Sequence, residues 1–61
     1  MTPQELSSLP VGSIVLQDGE EGEIVQAGAV CHIMWPRSKC TNIIDTNSRG
    51  WYDFISELEA E

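Results

Sequence analysis

Basic residues are scarce in this chain of 61 residues: three Lys and Arg stand against ten Asp and Glu, a formal charge of −7. That deficit opposes nonspecific attachment to nucleic-acid phosphates, which needs Lys and Arg to displace counterions. It equally opposes an anionic membrane surface. Nucleic acid is therefore an unfavoured partner, and no membrane partner is expected. Long apolar runs are missing too. Nothing approaches the roughly 20 residues that a spanning helix requires, and no leader pattern opens the chain, so a cytoplasmic protein is expected.

Cysteine is limited to Cys31 and Cys40, with neither the number nor the paired spacing of a structural zinc site. Cys31 and His32 are neighbours, which on a strand sends them to opposite faces. No metal and no cofactor is expected. A nucleophile and base could come only from Cys31 or Ser13 with His32, and no spacing brings these within hydrogen-bond reach. So small a chain also leaves little room for an enclosed pocket. The run Asp18-Gly19-Glu20-Glu21-Gly22 is too acidic to cradle phosphate. It also lacks the regular oxygen ligands and closing Glu of an EF-hand loop. The chain reads as non-enzymatic.

Sixty-one residues hold a single domain, and an apolar share of 41 % suffices for one core. A chain this short buries only roughly 60 % of its unfolded surface. Pairing two copies would bury more, and a homodimer is as compatible with the composition as a monomer.

Residues 1–10 carry a helix start. Thr2 can cap, Pro3 fits the first helical position, and Glu5 can return a bond to the cap. Leu6 and Leu9 would face the core together, and Pro10 ends the turn. Residues 11–46 have the composition of a β-sheet, with strands over 11–17, 22–28, 29–36 and 41–46. The acidic run 18–22 is read as a loop whose two glycines can take positive φ. In the third strand Ala29, Cys31, Ile33 and Trp35 share one face, and Val30, His32 and Met34 the other. The fourth strand is more polar and belongs nearer an edge. A hairpin closed near Arg37 to Lys39 sets Cys40 opposite Trp35 and leaves Cys31 about 15 Å away. That separation forbids a disulfide. Over residues 51–59, Trp51, Phe54, Ile55 and Leu58 stand at i, i+3, i+4 and i+7, the stripe of a short C-terminal helix, which is favoured over a strand with Tyr52 and Phe54 on one face.

The order Val11-Gly12-Ser13-Ile14-Val15, then Gly22-Glu23-Ile24-Val25, then Val30-Cys31-His32-Ile33-Met34-Trp35 resembles the small SH3-like barrels of the KOW and Tudor kind. The resemblance spans roughly residues 10–46. It implies a mainly β fold: a small antiparallel barrel of four to five short strands, flanked here by the two helical pieces. The chain departs from nucleic-acid-binding members by lacking their basic loops. It departs from methyl-lysine readers by lacking an obvious aromatic cluster. In size and acidity it is similar to accessory proteins encoded by bacteriophages.

Three functions are compatible with this pattern. The first is a protein-interaction module whose acidic residues Asp18, Glu20, Glu21 and Glu23, with Tyr52 as an exposed aromatic, bind a partner with a basic surface. That partner could be a nucleic-acid-binding protein inhibited by imitation of phosphate charge. The second is a small nucleic-acid-binding domain using Arg37, Lys39 and Arg49 with Trp51 and Tyr52 as stacking platforms. The third is a self-assembling subunit of a phage particle.

Overall fold

In a computed structural model covering all 61 residues, the chain opens as the capping residues dictate. The Thr2 hydroxyl accepts from the Glu5 N–H at 3.1 Å, and the Glu5 carboxylate accepts from the Thr2 N–H at 3.1 Å. This reciprocal pair starts helix α1 (Pro3–Ser8), with Pro3 where no N–H is needed. The bond from the Thr2 backbone, and then that from its side chain, hold the Glu5 carboxyl below its ordinary range. Their contribution is present above that range and is lost as pH falls through the lowered value. Leu9 closes the helix in extended conformation ahead of Pro10.

Five antiparallel strands follow: β1 (Ile14–Gln17), β2 (Glu20–Gln26), β3 (Val30–Trp35), β4 (Cys40–Asp45) and β5 (Glu59–Ala60). They form one open sheet in the order β4-β3-β2-β1-β5. Between β4 and β5 lie a single 3₁₀ turn (Arg49–Trp51) and helix α2 (Tyr52–Glu57). The fold is mainly β with two short helices.

The middle of the sheet matches the sequence reading closely. Trp35 stands opposite Cys40 and Cys31 opposite Ile44, so both thiols are free. Cys31, Ile33 and Trp35 are buried, whereas Val30 is exposed and His32 and Met34 are half-buried. β4 is an edge strand.

Several boundaries differ from expectation; β3 and β4 shift by only one residue at each end, and the larger differences follow. The first strand begins at Ile14 rather than residue 11. Gly12 has φ +95° and donates to the Ile24 carbonyl at 2.8 Å, so residues 11 and 12 turn the chain into the sheet. The acidic loop shrinks to Asp18 and Gly19, with φ of 49° and 81°, the paired positive values of a tight I′ hairpin. Glu20 and Glu21 are consequently strand residues, opposite Gln17 and Leu16. Gly22 is no turn glycine: it lies inside β2, buried. The last helix ends at Glu57, and Glu59 and Ala60 pair with Leu16 and Val15. The final acidic residues thus extend the sheet instead of the helix.

A core of nine buried residues lies on the inner face. Val15, Ile24, Cys31, Ile33, Trp35 and Ile44 come from the strands; Leu6, Ile55 and Leu58 close it from the helical segments. Trp51 and Phe54 pack against this core edge to face, with ring centroids 5.5 Å apart. The buried Trp35 N–H is satisfied by the Asn42 amide oxygen at 2.6 Å, and Thr46 by the Ala29 carbonyl at 2.9 Å. No buried side-chain nitrogen or oxygen lacks a partner.

Candidate functional site

The Asp18-Gly19 turn makes β1 and β2 a tight hairpin that carries the densest charge of the molecule. Antiparallel strands reverse direction at each turn, so this turn and the β3–β4 turn lie at the same end of the sheet. The two are tied directly: the Ser38 hydroxyl donates to the Glu20 carboxylate at 2.6 Å. Between them runs an open cleft of about 360 Å³, bounded by Glu20, Glu21 and Glu23 on β2 and by Pro36 and Arg37 across from them. Gly19, exposed at the hairpin tip, and buried Gly22 also line it.

Period-2 alternation distributes these groups. Gly22 and Ile24 face the core, so Glu21 and Glu23 project from the opposite face, beside Leu16 and Ile14 of β1. Glu20 has inward parity, but at the strand end it escapes the core and reaches Ser38. Asp18 sits exposed at the hairpin tip and does not line the cleft. Tyr52, 44 % exposed, stands on α2 and does not line it either.

The structure therefore brings together three of the four acidic residues singled out in the sequence, and it adds Arg37, which the sequence grouped with the cations. Strand direction carried that signal: in a four-strand meander, turns 18–19 and 36–39 must meet. The cationic set is not gathered in one place. Arg37 and Lys39 precede β4, while Arg49 follows it, beyond a strand that at about 3.3 Å per residue is some 17 Å long. Trp51 is half-buried against Phe54 rather than free to stack on a base.

Chemically, a cleft lined by Glu20, Glu21, Glu23 and Arg37 has an excess of negative groups and suits a cationic side chain, above all a guanidinium seeking paired oxygens. Elsewhere the nucleophile candidates stand apart. The Ser13 hydroxyl donates to the Pro10 carbonyl at 2.7 Å. Cys31 is wholly buried, and burial pushes its thiol above the ordinary value. His32 lies on the outer face between Gln26 and Ile43. No group of three or more His, Cys, Asp or Glu is placed to hold a metal ion. No helix is long and apolar enough to cross a membrane.

The thiols offer a direct check of this placement. A water-soluble aromatic disulfide is expected to modify exposed Cys40 within seconds to minutes and Cys31 only on unfolding. Two equally fast thiols in the native protein would contradict the position of β3.

Comparison with protein-family models, curated proteins and solved structures finds no match to this chain.

Proposed function

We propose that this chain is a non-enzymatic interaction module: a miniature SH3-like barrel whose acidic hairpin docks on a basic protein surface and blocks that partner's contact with nucleic acid. The observation that carries this reading is the placement of Glu20, Glu21 and Glu23 within four consecutive residues of β2, around an open cleft. A strand fixes their spacing, so the partner meets a preformed pattern of carboxylates and loses less freedom on binding. The barrel reading is supported by the strand order, in which the last short strand returns beside β1 after a helical crossing from β4.

Charge sets the expected behaviour. At physiological salt, fields fade over about 8 Å, so these carboxylates act on the encounter and on contacts at the cleft. Electrostatic complementarity of this kind raises association rate and selects the partner. The separation of Arg37 and Lys39 from Arg49 and Trp51 weighs against the nucleic-acid-binding alternative.

The test is to recover partners from the native host with the wild-type chain and then measure association with the Glu20→Lys/Glu21→Lys/Glu23→Lys variant. Each change shifts the charge by two, taking the formal charge from −7 to −7 + 6 = −1. Association is expected to slow about tenfold or more at low salt, and the difference should shrink as salt rises. Glu→Gln changes at the same positions should give an intermediate rate with an unchanged melting curve. An unaltered association rate, or a recovered partner whose binding surface is acidic, would remove this reading.

A further inference from the structure

We infer that the free edge of β4 is a docking strand for a second copy of this chain, which it pairs antiparallel about a two-fold axis at Asn42. This surface is separate from the acidic cleft, and the inference does not rest on the function proposed above.

The edge is chemically open. The Thr46 N–H donates to the Ala29 carbonyl at 2.8 Å, which fixes the phase of the β3–β4 ladder. On an antiparallel strand, alternate residues turn both backbone groups to the same side. Ile44, Asn42 and Cys40 therefore bond toward β3, and Thr41, Ile43 and Asp45 present their N–H and C=O groups to the open side. β4 has β3 as its only neighbour in the sheet. Ile43, the central residue of the outward set, is 61 % exposed.

Sheet edges are normally blunted by charge, proline or brevity. β5, at the opposite edge, is only two residues long and has Glu59 in it and Glu61 beside it. β4 is six residues long and has neither charge nor proline from Cys40 to Ile44. On a chain of charge −7, this is a long stretch that two copies can bring together without opposing carboxylates.

Charge also selects the occupant and the register. Lys39 immediately precedes β4 and Asp45 ends it. An antiparallel copy with Asn42 on the axis sets Thr41 opposite the partner's Ile43, and brings Lys39, the left-handed turn residue just before the strand (φ 56°), to the end of the ladder beside the partner's Asp45, twice by symmetry. Moving the axis to Ile43 keeps the faces aligned but sets Asp45 against the partner's Thr41 and leaves Lys39 unmatched. A slip by a single residue turns each inner face outward. A second copy thus supplies both the open backbone edge and the matching end charges. The product is a ten-stranded sheet with Val30, Ile43 and Met34 of both copies on its outer face and the two acidic hairpins pointing away from the axis.

Sedimentation equilibrium between about 10 µM and 1 mM tests this, a range suited to a weak self-association. The wild-type mass is expected to rise from one chain toward two. Ile43→Pro removes an N–H aimed at the open edge and spares every bond to β3, and it should hold the mass at one chain throughout. Lys39→Glu and Asp45→Lys, each tested alone, should weaken self-association at least tenfold by opposing like charges. The double variant should recover to within about threefold of wild type. Thermal melts accompany each variant, because the Asp45 carboxylate also accepts from the Asn47 N–H at 2.9 Å. If Ile43→Pro fails to fold, the charge exchange decides alone. A wild-type chain that stays single, an Ile43→Pro chain that pairs as wild type, or a double variant no better than its parents each overturns the inference. Binding of an unrelated extended peptide by a chain that never self-associates is also an overturning result.

Discussion

Gly22→Val is expected to destabilise the chain more than any other single change in the sheet. A Cβ at this position would lie 2.7 Å from Ile33 Cγ2 and 2.7 Å from both Cε3 and Cζ3 of Trp35. Neither neighbour can retreat: Ile33 is completely buried, and Trp35 is 3 % exposed with its N–H held by Asn42. Forcing extra carbon atoms into a packed interior commonly costs about 1–3 kcal/mol. Valine adds three such atoms at the tightest point of the sheet. Against a total stability of roughly 3–9 kcal/mol for a chain of this length, the upper end of that cost removes a third or more of what holds the fold. Gly22→Ala should fold with a melting temperature lowered by about 10 °C or more, as each 1 kcal/mol moves the midpoint of a small domain by ~4–8 °C. Far-UV circular dichroism through a thermal scan reads both variants. A wild-type curve for Gly22→Ala would mean that Trp35 does not lie across β2.

Leu6→Ala is expected to have an effect of similar size, although it lies outside the sheet. Leu6 has no exposed surface and belongs to the same cluster as Ile55 and Leu58. Replacing a fully buried leucine by alanine removes its transfer energy and leaves a cavity, typically costing about 2–5 kcal/mol. The sheet alone offers six core side chains, too few to compensate. Chemical denaturation should show a midpoint lowered by about half or an absence of any folded baseline. A loss below about 1 kcal/mol would mean that α1 is an appendage rather than the lid of the core.

The sheet was legible wherever hydrophobic alternation was strong. Cys31, Ile33 and Trp35 against His32 and Met34 fixed the faces of β3, and the hairpin register followed from the turn between Trp35 and Cys40. The capping pair Thr2 and Glu5 was equally readable, because its chemistry is local. Charge obscured the second strand. Glu20 and Glu21 have poor strand propensity, yet the Asp18-Gly19 dipeptide supplies the tight turn that makes them strand residues. Gly22 was opaque for a different reason. The residues that require its missing side chain, Ile33 and Trp35, lie more than ten positions away, and only the register reveals them. β5 has no pattern of its own at two residues in length; it exists because β1 offers it an edge. The candidate site was legible in its acidic half alone, since Arg37 joins it through the meeting of two distant turns.

Residues at both ends of the sequence are bonded to distant parts of the fold. The Met1 ammonium donates to the Leu58 carbonyl at 2.7 Å, and the Glu61 N–H donates to the Ile14 carbonyl at 3.2 Å. The four-strand meander is built from pairings between sequence neighbours, whereas these two closures join residues 57 and 47 positions apart. Because loop closure must be met before such distant contacts form, docking of β5 and the amino terminus is expected to follow the local hairpins, and mutations at these closures should speed unfolding more than they slow folding.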